Sequence, residues 1–198
     1  MQENRMDHRS KVFENFVALF NSWPNSLGQL KYNEAPANIS AIAEVPDSGV
    51  MRDYFERIGF SARPMIGADF GLQLYGPENL AKAQQGWHTV ENEDPAWGWK
   101  DGFTVFADRN GDVLVFDRGD EHSPIFGSIQ KRSFKVATDI MALIGALQAG
   151  ISVQVQEFNN ETIDEEQNYK PAFLHRVREV LGTVAGADVD GFMKFFFE

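Results

Sequence analysis

The sequence predicts an α+β fold, a central and mostly antiparallel sheet flanked by helices. Three observations predict it. A pair of alternating apolar runs is joined by Asn110-Gly111, the pair favoured in two-residue hairpins. Stretches with helical apolar spacing lie on both sides of that hairpin, and the element order separates helices from strands instead of alternating them.

From the N-terminus, Val12, Phe13, Phe16, Val17 and Phe20 form one face of a helix over residues 7–20. Pro24 and Gly28 end it. A second helix is expected over 48–58, with Met51, Tyr54, Phe55 and Ile58 inward. "FGLQLYG" is expected as a strand, after which Pro77 opens a short helix through Gln85.

"DRNGDVLVFD" (residues 108–117) poses a choice between a calcium loop and a hairpin. As a calcium loop it offers oxygens at Asp108, Asn110 and Asp112, but Val113 stands where the glycine belongs and Gly119 where the bidentate glutamate belongs. The hairpin fits. With Asn110-Gly111 as a type I′ turn, Arg109 pairs with Asp112, Ala107 with Leu114 and Val105 with Phe116. Phe103, Val105, Ala107, Leu114 and Phe116 are then expected on one face, and Phe106, Val113 and Val115 on the other. Arg109 and Asp112 are expected opposite each other at an exposed tip.

"PIFGSI" is expected as a third strand. A helix starting between Ser133 and Asp139 runs to about Gln148, "NNETIDEEQN" is an acidic loop, and 171–181 is a helix with Phe173, Leu174, Val177 and Leu181 inward. The apolar tail "GFMKFFFE" is expected to dock as an edge strand or a last helical turn, with an exposed homodimer patch as the alternative.

The 198 residues are expected to form a single domain. Cysteine is absent, which excludes disulfides, thiolate catalysis and zinc–cysteine sites. The first ten residues hold no apolar signal core, and no segment approaches a membrane span of ~20 apolar residues, so a cytoplasmic protein without membrane contact is expected. With 18 basic against 29 acidic residues the net charge is −11, which argues against direct nucleic-acid binding and favours a basic partner, or simply solubility.

The chain holds no nucleotide-binding glycine loop, no nucleophile elbow and no H-E-x-x-H. Its four histidines are scattered, so no metal, cofactor or catalytic residue is expected. The alternative, an enzyme with carboxylates assembled across loops, has no motif to localise it. Candidate partner contacts are Trp97 and Trp99, whose spacing would put both rings on one face of a strand, or which cap the sheet instead. Acid-rich segments add Asp117, Asp120 and Glu121 in "DRGDE", with "ENED" at 91–94 and "ETIDEE" at 161–166, unless these are ordinary solvated loops.

Several of these features together resemble the SUKH superfamily, which groups bacterial toxin-immunity proteins with the yeast cell-wall assembly regulator. Val45-Pro46 precedes "MRDYFERIGF", Trp97 or Trp99 leads into a strand, and Gly111-Asp112 occupies the Gly-Asp turn. Asp117 is the acid at the strand end, and Pro124-Ile125-Phe126 opens the next segment. Ala137, Ile140, Leu143 and Ile144 follow the helix pattern, with Asp139 in place of the usual serine. The best-matching segment is 45–147, closest from about residue 95, and 150–198 is a C-terminal extension that the family pattern leaves unexplained. The resemblance implies a non-catalytic protein-binding protein, an immunity protein neutralising a basic toxin such as a nuclease, or a regulatory adaptor. It also implies a structural part for Pro46, Asn110, Gly111, Asp112 and Pro124.

Overall fold

The computed structural model describes residues 2–87 and 99–198. Seven strands form one antiparallel meander in chain order: β1 (Ser26–Tyr32), β2 (Ile58–Ile66), β3 (Leu72–Leu74), β4 (Phe103–Arg109), β5 (Asp112–Asp117), β6 (Ile125–Ile129) and β7 (Arg132–Ala137). The helices are α1 (Gln2–Ser22), α2 (Val50–Arg57), α3 (Pro77–Ala83), α4 (Ile140–Ser152), α5 (Pro171–Leu181) and α6 (Val189–Phe197). The fold is therefore α+β, as the sequence predicts.

The main core lies on one face of the sheet. Phe13, Phe16 and Phe20 of α1, Met51, Tyr54 and Phe55 of α2, and Leu143 and Leu147 of α4 meet Phe106, Leu114 and Phe116 there. Phe173 of α5 and Phe192, Phe195 and Phe196 of α6 complete this layer. Helix α4 starts where its chemistry places it, with the Asp139 carboxylate accepting from the Ala142 N–H at 2.9 Å.

The hairpin forms with Asn110 at φ 55° and Gly111 at φ 93°, the two left-handed residues of a type I′ turn. Its faces differ from the expected ones. Ala107 pairs with Leu114, but Val105 pairs with Val115, because Phe106 is an extra residue, a bulge, in β4. Phe106, Ala107, Leu114 and Phe116 consequently face the helices, while Phe103, Val105, Val113 and Val115 form a second, smaller core on the opposite face. Arg109 and Asp112 are in register, yet the Arg109 guanidinium turns inward. It donates to the carbonyls of Phe70 (3.1 Å) and Phe196 (2.7 Å), the latter in the last turn of α6, where a cation suits the helix dipole.

Strands β1 and β2 lie where the sequence predicts no strand, β7 takes residues allowed for the start of a helix, and "FGLQLYG" contributes only the three residues of β3. Pairing decides these. "RSFKVA" has no strong period of its own and becomes β7 because β6 offers a full ladder. The tail forms α6, a nine-residue helix and more than the expected last turn. Gly191 lets it sit against β7, since a β-carbon there would lie 1.7 Å from the Lys135 carbonyl oxygen.

Both edges of the meander are covered in part. Segment 186–188 pairs along β7, with Thr138 N–H donating to Gly186 and Asp188 N–H to Val136. At β1 the Asn21 side chain of α1 both accepts from the Leu30 N–H (3.1 Å) and donates to the Leu30 carbonyl (2.7 Å), as a neighbouring strand would.

Candidate functional site

Opposite the helices, the sheet is covered by side chains that follow α3 and precede β4. Beyond the short β3, strand β4 has no neighbouring strand among the described residues, and the Gln84 side chain takes that place. It donates to the Val105 carbonyl and accepts from the Val105 N–H, both at 2.9 Å. The Trp87 and Trp99 indoles stack at 5.1 Å and 17°, and Trp99 meets Phe103 edge-on. Together with Tyr75, Ala83 and Phe126 they close over Val105, Val113 and Val115. Trp99 precedes β4 and pairs with Trp87, a contact between residues twelve apart that strand spacing could not reveal. Trp97 and the "ENED" segment lie outside the described residues.

Next to Trp99, Lys100 Nζ reaches Asp117 at 2.9 Å and lies over the rings of Phe103 and Phe126 at 5.5 and 5.3 Å. Asp117 is buried. Its second oxygen accepts from the Gly119 N–H at 3.0 Å, so this carboxylate organises the turn that follows β5. The Arg118 N–H donates to the Gly102 carbonyl, its guanidinium donates to the Ala43 carbonyl, and the Asp117 N–H donates to the Pro124 carbonyl. Asp120 accepts from the His122 N–H on its side chain and from the Ser123 N–H on its carbonyl, both at 2.9 Å. Ser123, buried, holds φ 47° directly before Pro124, a backbone region where non-glycine residues are strained. Asp120 and Glu121 stand exposed on this fixed turn, the Glu121 side chain being 86% accessible.

The structure thus brings Trp99, Asp117, Asp120 and Glu121 to one end of the sheet. Asn110, Gly111 and Asp112 lie at the other end of β5, roughly 20 Å away at 3.3 Å per residue. Pro46 is buried ahead of α2, its carbonyl accepting from Arg52. The exposed carboxylates of Asp164, Glu165 and Glu166 belong to the hairpin end, where Thr162 hydrogen-bonds Asp69 beside Arg109. Burial raises the Asp69 carboxyl above its ordinary range, against the pull of Thr162 and Arg109, and one of its oxygens has no hydrogen-bond partner among the described residues. The Tyr169 hydroxyl is raised as well, by burial first and then by the Asp69 charge.

A cleft of about 590 Å³ opens on the other side of the tryptophan pair, between β2 and α3. Its β2 wall is irregular. Leu27 pairs with Met65 and Gln29 with Ser61, so Ala62, Arg63 and Pro64 together oppose the single Gly28. Ala62 (φ 53°) and Arg63 (φ 52°) are consecutive left-handed residues, a cost of about 1–3 kcal/mol each. Gly28 at φ 75° makes room, as a β-carbon there would meet the Ala62 oxygen at 2.8 Å. Tyr75 lines the cleft with its hydroxyl raised by burial and by the Asp108 carboxylate, while Arg63 opposes that shift. Sequence reasoning missed this wall, though Pro64 was a signal, since proline inside a strand demands an edge or a bulge.

Among the described residues no group of three or more histidine and carboxylate side chains could hold a metal ion, and no helix is long and apolar enough to cross a membrane. No protein-family model, curated protein or solved structure matches the chain.

Proposed function

We propose that this chain is a non-catalytic, cytoplasmic protein-binding protein that neutralises a basic toxin domain, a nuclease in the favoured case, by occluding it. The observation that carries this reading is the turn from Asp117 to Pro124. It presents Asp120 and Glu121 outward on a backbone already held by the Asp117 carboxylate, the Gly102 and Ala43 carbonyls and the strained Ser123. A charged loop fixed before binding loses little entropy on association, and complementary charge raises the encounter rate. The net charge of −11 attracts a cationic partner over longer range. The resemblance to the SUKH superfamily supports the same class of function.

The test is co-expression with the product of the adjacent gene, followed by association kinetics at two salt concentrations. Raising ionic strength from 0.01 to 0.15 M shortens the Debye length from ~30 to ~8 Å and should slow association steeply. Asp120→Lys with Glu121→Lys should slow it at low salt and flatten the salt dependence. The fold should survive, with a loss of about 1 kcal/mol at most, the worth of the hydrogen bond from the His122 N–H to the Asp120 carboxylate. Failure of any neighbouring product to bind, or binding indifferent to both salt and charge reversal, overturns the proposal.

A further inference from the structure

The cleft between β2 and α3 has no part in the acidic turn, and its chemistry is of the opposite kind. In a chain of net charge −11, two cations line it, Arg63 and Lys82. Both are exposed, and neither has an ion-pair partner among the described residues. The one carboxylate in the lining, Glu78, accepts instead from the neighbouring Asn79 amide at 2.8 Å. With two cations against one carboxylate the lining is net positive, which suits an anion.

The remaining walls suit a flat ring. Trp87 and Tyr75 line the cleft, and Trp87 is backed by the stacked Trp99 indole, which holds the ring in place. The Gln73 and Gln85 amides add neutral donors and acceptors of the kind that read the edge of a heterocycle. A volume of about 590 Å³ falls within the range of small-molecule sites.

The backbone supplies an independent argument. Ala62 and Arg63 are held left-handed while their side chains stay exposed, and only the third residue of the bulge, Pro64, is buried, against Gly28. Strain at two exposed positions directs attention to what those positions line. What they line is the cleft. We infer that this cleft binds a planar heteroaromatic anion of mononucleotide size, its ring against Trp87 and Tyr75 and its phosphate or carboxylate between Arg63 and Lys82.

The experiment titrates the full chain with adenosine and guanosine monophosphates, using ribose 5-phosphate and inorganic phosphate as probes without the ring. Tryptophan fluorescence and side-chain NMR report on Trp87 and Tyr75. At least one nucleotide should saturate the signal, with ribose 5-phosphate weaker by roughly tenfold or more, since base–aromatic stacking contributes that much. Lys82→Ala should weaken nucleotide binding by roughly tenfold through the lost charged hydrogen bond. Arg63→Gly should do the same while keeping the fold, because glycine accepts φ 52° without strain. The acidic-turn variant with Asp120→Lys and Glu121→Lys should bind nucleotide as the parent does, which separates this site from the proposed partner surface. No saturable signal up to about 10 mM, a ceiling near the weakest specific affinities, overturns the inference. So does binding that neither the Arg63 nor the Lys82 substitution weakens, or equal binding of the ringless phosphates.

Discussion

The two faces of the sheet are built from the same strands and sealed by different means. On one face Phe106, Leu114 and Phe116 lie under α1, α2, α4, α5 and α6 in a continuous aromatic-rich core. On the other, Phe103, Val105, Val113 and Val115 are covered by a connection carrying two stacked indoles, one amide bound to the β4 backbone and one lysine over two phenylalanines. The first face spends nearly all its surface on burial. The second combines a small core with the cleft on one side and the acidic turn on the other. The helices leave no open surface on the first face among the described residues, and the cleft and the acidic turn both border the second.

The harshest way to break this comparison is to remove α6 from the helical face. Deleting residues 191–198 takes away Phe192, Phe195, Phe196 and Phe197, all buried. At about 3–5 kcal/mol per buried phenylalanine, the loss rivals the whole stability of a domain, roughly 5–15 kcal/mol. Circular dichroism should show an unfolded or molten chain. A folded product that merely changes from dimer to monomer would return the tail to the dimer-patch reading.

A finer comparison uses adjacent residues of β5. Phe116→Ala on the helical face should cost about 3–5 kcal/mol in urea denaturation, and Val115→Ala on the other face about 2 kcal/mol, since less apolar volume is lost. Equal costs would mean that the two cores are equally tight. Smaller still is Gly111→Val at the hairpin tip. Nothing lies within 4 Å of a β-carbon there, so the expected loss of about 1 kcal/mol comes from the left-handed backbone alone.

The smallest effect concerns Asp69. Its carboxyl is raised in the folded state, so the folded chain holds the proton more tightly than the unfolded one. Stability therefore falls as pH rises from the unfolded carboxyl's range through the folded one, and at neutral pH Asp69 is a net cost. Asp69→Asn should slightly raise the melting temperature at pH 7, and the gain should vanish well below the ordinary carboxyl value of 3.8. A lower melting temperature at pH 7 would show that attraction to Arg109 outweighs burial.

By itself the sequence determined what is local. Asn110-Gly111 specifies its turn because both residues tolerate φ > 0, and Pro171 opens α5 because its missing N–H is no loss there. The apolar stripes of α1 and α2 follow from their spacing. The candidate site was legible only as residue types: Trp99, Asp117, Asp120 and Glu121 could be named, but the stacking of Trp87 on Trp99 and the parts of Gln84, Arg63 and Lys82 could not. Tertiary structure decided the rest, because strand pairing and bulges depend on what lies alongside. One extra residue at Phe106 exchanged the faces of Phe103 and Val105, since side chains alternate with a period of two. Gly28 in β1 made the room that lets Ala62 and Arg63 bulge from β2, and no period within either segment records the other. Trp87 meets Trp99 in a stack that no sequence spacing records, and Arg109 leaves Asp112 because the end of α6 offers a buried carbonyl, which a charged donor satisfies better than an exposed pairing at the tip.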